Sequence, residues 1–294
     1  MSEAMARVEG LSIWKGEIAI EPLSGGLSNE SFKVVDGEKA YVVRFGRDFP
    51  FHHVFRDREA MTAKAAARAG LAPALVHAGP GVQVIEFIEG KTLEADDVIN
   101  SIPRIADLIH RYHQTMPKEV SGPGFMFWPF HVIRDYAHTL QAGGSRMIGE
   151  LGGYLELADE LEQVQMPLPI IFGHNDLLPG NLIDDGSRLW LIDFEYGGFS
   201  TAMFDLAGLA SNAGFDEEKS ALLLALYFGR QPETALVRSH AAMQCASLLR
   251  EAMWSMVSEL HLDVPGADYV AYTQENLDRL DVALENYRSR FGRA

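Results

Sequence analysis

Residues 172–205 read FGHNDLLPGNLIDDGSRLWLIDFEYGGFSTAMFD, and the reading of this stretch decides the fold. Its apolar pieces, Ile170-Ile171-Phe172, Leu182-Ile183 and Leu189-Trp190-Leu191-Ile192, have the length of short strands, and polar turns end each of them. Asp176 stands five residues before Asn181, and Asp193 twelve residues after it. A loop carboxylate, an amide and a second carboxylate at strand ends are what phosphoryl transfer from a metal-bound nucleotide requires. One carboxylate orients the attacking hydroxyl and takes its proton, while the amide and the other carboxylate hold the metal on the phosphates. A bare His-x-Asp carries little information. The three parts in order, joined by a short hairpin, carry much more.

The protein kinase catalytic loop has the same Asp-to-Asn spacing and a similar gap to its metal-binding Asp. His174-Asn175-Asp176-Leu177-Leu178-Pro179-Gly180-Asn181, then Ile192-Asp193-Phe194-Glu195-Tyr196 and Phe204-Asp205-Leu206-Ala207, resembles the choline/ethanolamine kinases, within the wider aminoglycoside-phosphotransferase group of kinase-like folds. The resemblance runs from a glycine loop upstream to the C-terminal helices, and so covers most of the chain. It implies an α+β, bilobal protein-kinase-like fold, with a small antiparallel-sheet lobe over residues 1–89 and a larger, mostly helical lobe over 90–294. It also implies ATP and Mg2+ as cofactors, with Asp176 as base and Asn181 and Asp193 as metal ligands. Asp205 is expected to support the catalytic loop through its backbone, and His174 to brace the loop.

Upstream, Ile18 to Leu23 and Phe32 to Val35 read as strands around Ser24-Gly25-Gly26-Leu27-Ser28-Asn29-Glu30-Ser31, with Asp36-Gly37 as a hairpin turn. Gly25 and Gly26 let backbone N–H groups approach phosphate oxygens, and Ser28 and Asn29 add donors. In Ala40-Tyr41-Val42-Val43-Arg44-Phe45, alternation puts Arg44 on the face opposite Val43 and Phe45. A charge in an apolar strand needs partners. The kinase arrangement offers two, the nucleotide phosphates and a Glu on the next helix, and Glu59 on the Ala-rich helix from Asp57 to Ala69 is the candidate. The strand Val82 to Ile88 takes the place of the hinge, where Glu86 and Ile88 offer main-chain groups to adenine by position alone.

Downstream, Ile102, Ile105, Ile109, Tyr112 and Met116 recur at helical spacing, with His110 and His113 in packing roles. Residues 117–141, rich in aromatics, Pro and Gly, read as a loop. On the helix from His240 to Leu262 the core stripe is Cys245, Leu249, Ala252, Met256 and Leu260, and Trp254 falls opposite it beside Ser247, Arg250, Glu251 and Ser258. Glu195, Tyr196, Glu251 and Trp254 are the candidates for holding a cationic amine by charge and ring face. The family resembled carries two Trp three apart here. Glu251 replaces the first, so other charged acceptors fit as well as choline.

The chain has 294 residues, 47% of them apolar, enough for a large core. A net charge of −16 argues against nucleic acid and anionic membranes as partners and gives a mild attraction for cationic small molecules, and the resemblance implies a small cationic alcohol as substrate. One cysteine, Cys245, excludes an internal disulfide and suits a reducing, cytoplasmic setting, and no apolar run reaches the ~20 residues of a spanning helix. The expected activity is transfer of the ATP γ-phosphoryl group to the hydroxyl of choline, ethanolamine or a similar amino alcohol. Thiamine, a sugar or an aminoglycoside is the alternative acceptor, and a catalytically silent nucleotide-binding regulator the alternative class.

Overall fold

The computed structural model describes residues 3–23 and 30–293. Helix α1 (Glu3–Glu9) precedes strands β1 (Ile18–Leu23), β2 (Glu30–Asp36) and β3 (Lys39–Phe45). Then follow α2 (Arg56–Arg68), β4 (Leu75–Gly79) and β5 (Val82–Glu86). The five strands pair antiparallel in the order β1-β2-β3-β5-β4. Alternation sorts the sheet as expected. Phe32, Val34, Val43, Phe45 and Val84 are buried on one face with Ala4 and Val8 of α1. Arg44 is thereby left on the other face, toward α2. Gly37 has φ +64° in the β2–β3 turn, a conformation that only a residue without Cβ adopts freely.

The rest of the chain is mostly helical. It runs through β6 (Lys91–Thr92), α3 (Ala95–Asn100), α4 (Ile102–Glu119), α5 (Pro129–Ala142) and α6 (Leu151–Gln163) to β7 (Ile170–Gly173), β8 (Leu182–Asp184), β9 (Leu189–Leu191) and β10 (Gly198–Thr201). It ends with α7 (Ala202–Asn212), α8 (Glu217–Phe228), α9 (Thr234–His261) and α10 (Tyr269–Phe291). The α4 stripe is buried as its spacing predicts, against Ala63, Ala65 and Ala66 of α2 and Leu206 and Leu209 of α7. Within residues 172–201, β8 and β9 form an antiparallel hairpin and β7 pairs antiparallel with β10.

One expectation needs correction. Residues 117–141 are not all loop: Pro129 occupies the first turn of α5, where its missing N–H costs nothing. Phe130, Ile133, Tyr136, Ala137 and Leu140 then follow at helical spacing and are buried. The side of the 240–262 helix opposite the expected stripe is packed as well. The helix α9 packs against α5, α6, α7 and α10, so Arg250 and Ser258 are as buried as the apolar stripe.

A buried clamp fixes where β7 ends. Asp205, 1% exposed, accepts hydrogen bonds from the backbone N–H groups of His174 (2.8 Å) and Asn175 (2.6 Å) and pairs with His113 Nε2 at 2.8 Å. Burial alone would raise the Asp205 pKa, but these partners hold it below the usual carboxylate value. Replacing Asp205 by Ala leaves two backbone donors and His113 buried without their partner. The expected loss is about 3–5 kcal/mol of unfolding free energy, read by urea denaturation. His240 makes a second, pH-dependent prediction. It is 1% exposed and donates to the Leu206 carbonyl, its Nε2 has no partner, and burial lowers its pKa from 6.5 to about 4. Between those values the unfolded chain binds a proton that the folded chain refuses, so stability falls on acidification, by about 3 kcal/mol in total from this residue. His240→Gln keeps a donor and does not titrate, and should flatten the wild-type slope between pH 6.5 and 4.

Candidate active site

The β7–β8 loop places Asp176 and Asn181 together. Asn175 adopts φ +61°, and its side-chain Nδ2 donates to the carbonyls of Tyr196 (3.0 Å) and Gly198 (3.2 Å), tying the loop to the chain entering β10. His174 lies against the Ile192 carbonyl at 2.9 Å through Nε2, which braces the loop on the residue before Asp193. Asn181 Nδ2 donates to the Asp176 carbonyl at 2.9 Å. That bond fixes the amide and leaves its oxygen available. Burial, above all, pushes the Asp176 carboxyl well above the usual carboxylate range; Arg250 opposes this, and Glu251, Asp193 and Glu195 add to it.

Asp193 also has a left-handed backbone, φ +65°, at the end of β9. Arg44 Nη2 reaches both of its carboxylate oxygens at 3.3 Å, and Arg44 Nη1 lies 3.5 Å from Glu59 Oε1 on α2. Arg56 extends the chain of charges, with its Nη1 2.6 Å from Glu59 Oε2 and 3.0 Å from Glu195 Oε2. Asp193, Arg44, Glu59, Arg56 and Glu195 therefore alternate in sign along a series whose two acidic ends, Asp193 and Glu195, are separated in the chain only by Phe194. Burial would lower the Arg44 pKa, but Asp193, Glu59 and Glu195 hold it above its ordinary value. Burial and the neighbouring Asp193 push Glu195 up to about 7.

Among the residues singled out for an amine, Glu195 faces Arg56 in this charged series, while the other three form a separate group. Trp254 Nε1 donates to the Tyr196 hydroxyl at 3.0 Å. One face of the indole stacks on His52 at 4.9 Å and 22°, and Tyr269 and Tyr272 meet it edge-on at 6.2 and 6.3 Å. Glu251, one turn earlier on α9, receives Arg250 Nη1 at 2.7 Å and the Tyr272 hydroxyl at 3.0 Å. Glu86, at the exposed end of β5, donates its N–H to the Ala74 carbonyl, and Phe87 donates to Ala40. Gly25, Gly26, Leu27, Ser28 and Asn29 lie outside the described residues.

Several groups of the site escape a reading of the sequence. Arg56 precedes the expected helix start by one residue. Arg250 is legible only as a neighbour of Trp254 opposite the core stripe. His52 and Tyr272 act across more than 200 and 20 residues of chain, through Trp254 and Glu251, with no local motif to mark them.

Asn181 and Asp193 supply oxygen donors of the kind Mg2+ takes, which needs only one or two carboxylates when phosphates and water complete its shell. Among the described residues no group of three or more His, Cys, Asp or Glu side chains is arranged to hold a metal ion by itself. No helix among them is long and apolar enough to cross a membrane.

The geometry has close counterparts. A choline/ethanolamine kinase family protein from Mesorhizobium loti superposes with a TM-score of 0.80 at 25% identity, covering 96% of this chain and 94% of that one. The structure of LicA in complex with AMP has the same fold, with a TM-score of 0.72 at 22% identity over 96% of this chain and 98% of that one. A probable ethanolamine kinase from Arabidopsis thaliana is 29% identical over 218 residues, 67% of this chain but only 57% of that relative. The family profile for choline/ethanolamine kinases matches residues 20–223, from β1 through the catalytic loop into α8. With the motif residues assembled as described and that match spanning most of its length, the chain belongs to the choline/ethanolamine kinase family.

Proposed function

We propose that the protein transfers the γ-phosphoryl group of ATP to the hydroxyl of a small amino alcohol. The observation that carries this reading is the contact of Arg44 with Asp193 across 149 residues, which brings a cation of the sheet to the carboxylate beside the Asp176–Asn181 loop. Asp176 accepts the hydroxyl proton as the oxygen attacks the γ-phosphorus. A new O–P bond forms, the bond from the γ-phosphorus to the β–γ bridging oxygen breaks, and ADP leaves with that oxygen. A carboxyl held above its usual pKa is the stronger proton acceptor. Asn181 and Asp193 would hold Mg2+, which when bound draws charge off the phosphate oxygens. Arg44 then exchanges its Asp193 contact for phosphate oxygens, with Glu59 keeping the guanidinium oriented. The Gly25–Ser31 segment and the main-chain groups of Glu86 and Ile88 complete the nucleotide site. The sheet and α2, residues 1–89, serve as the nucleotide lobe and residues 90–294 as the lobe for the acceptor. That the LicA structure was obtained with AMP supports a nucleotide in this fold.

Asp176→Ala should lower kcat by roughly 10²–10⁴-fold, the usual share of a positioned general base, and leave the dissociation constant for MgATP nearly unchanged. Coupled ADP release and calorimetric titration measure the two, and full retained turnover removes Asp176 as the base. Arg44→Met should act the other way round, raising the KM for ATP more than it lowers kcat. Equal KM values in the two proteins would show that Arg44 never leaves Asp193.

A further inference from the structure

Arg56 is the first residue of α2, the end of a helix where the helix dipole disfavours a cation. Helix stability therefore does not account for the arginine. Its own contacts do. The backbone N–H of Arg56 donates to Asp48 Oδ1 at 2.8 Å, and its Nε donates to the Arg47 carbonyl at 2.9 Å. Nη1 donates to Glu59 Oε2 at 2.6 Å, one helical turn on along the same face, and to Glu195 Oε2 at 3.0 Å. Three acceptors thus fix the guanidinium through Nε and Nη1, while Nη2 is buried without a partner.

Glu59 is 4% exposed and divides its carboxylate between two arginines. The two contacts are unequal. Oε2 makes a short, charge-assisted bond to Arg56 at 2.6 Å, whereas Oε1 lies 3.5 Å from Arg44. Arg44 is similarly distant from Asp193, 3.3 Å from each oxygen. The orientation of Glu59 is therefore set by Arg56, and Arg44 faces carboxylates on two sides without a short bond to either. An arginine in that state is placed but not consumed, and its planar fork is left for phosphate oxygens.

We infer that Arg56 is a positioning residue for the nucleotide: by holding Glu59 Oε2 it keeps that carboxylate from closing on Arg44, and so presents Arg44 to the phosphates. This rests on the phosphotransfer reading above, in which Arg44 binds phosphate oxygens. Without Arg56, the buried Glu59 carboxylate has one cation left, and the two close into a tight pair that phosphate must break. Arg56 acts through Glu59 and needs no contact of its own with the nucleotide.

The test is calorimetric titration with MgATP, alongside ADP release at saturating ethanolamine or choline, on the wild type and on variants at Arg56 and Glu59. Arg56→Met should weaken MgATP binding roughly three- to thirtyfold, the scale for a side chain that acts without touching the ligand, and lower kcat by a smaller factor. Arg56→Lys returns a cation to Glu59 but not the Nε bond, and should recover part of the affinity. In a Glu59→Gln background, Arg56→Met should cost no more than about twofold further, because the carboxylate it restrains is gone. Arg56→Gln keeps donors at this place without the charge, and serves the same comparison where Arg56→Met does not fold. Unchanged MgATP affinity in either folded variant overturns the positioning role and leaves phosphotransfer standing. An equal loss in the Glu59→Gln background overturns it too, since a direct field on the phosphates or a general loosening would not need Glu59. No MgATP binding by the wild type overturns both.

Discussion

Asp205 is the constraint on which the rest of the site depends. A carboxylate removed from water at the start of α7 needs full compensation, and it finds it in two successive backbone N–H groups and a histidine from α4. Those N–H groups belong to His174 and Asn175, so the demand of one buried charge sets the direction in which the chain leaves β7. Asn175 then has a left-handed backbone, φ +61°, and its side chain fastens the strand entering β10. Because His113 reaches Tyr227 with its other nitrogen, the clamp also ties α4 to α8. Asp176 and Asn181 take their positions from this frame together with the bond from Asn181 Nδ2 to the Asp176 carbonyl.

The second organising element is electrostatic. Three carboxylates and two guanidiniums, Asp193, Glu59 and Glu195 with Arg44 and Arg56, share a region from which water is largely removed. Each charge has at least one opposite neighbour within 3.5 Å. The set carries one negative charge in excess, and the raised Glu195 pKa reflects that imbalance, burial first and Asp193 next. A cation held at Asp193 would offset that excess, and the Arg44 guanidinium would then be available to phosphate charge while Arg56 stays between Glu59 and Glu195.

Much of this was legible in the residues themselves. The alternation that puts Arg44 opposite Val43 and Phe45, the Ala-rich α2 closed by Gly70 at φ +68°, and the α4 stripe all follow from local periodicity, and the structure repeats them. The expected helix of residues 240–262 was also present, but its surroundings were not. A wheel divides a helix into two faces and assumes that one of them is wet. With neighbours on every side of α9, polar residues go inside when each finds a partner, as Ser258 does with His52 at 2.8 Å and Arg250 with Glu251. Residues 117–141 misled in the opposite sense. Glycines and aromatics suggested a loop, yet Pro129 is a helix start, and the apolar spacing that follows it outweighs composition. Pairings such as His52 with Trp254, separated by 202 residues, have no local trace, because they depend on how two regions of the chain meet.

That meeting has a mechanical consequence for the proposed acceptor pocket. The segment between β3 and α2 does not stay with the sheet. Phe49 and Val54 are buried in the core formed by α5 and α9, and His52 packs flat on Trp254. Arg56 follows within four residues and holds both Glu59 and Glu195. A side chain that walls the acceptor end and an arginine that orders the phosphate end are thus parts of one short, well-anchored segment. Because His52 is buried and its pKa strongly lowered by that burial, its ring stays neutral and the stack carries no switchable charge. Packing alone transmits position along it. If an acceptor is held against Trp254, as expected from the sequence, this segment connects it through His52 and Arg56 to the carboxylates that face Arg44, and binding energy gained at one end would then serve alignment at the other.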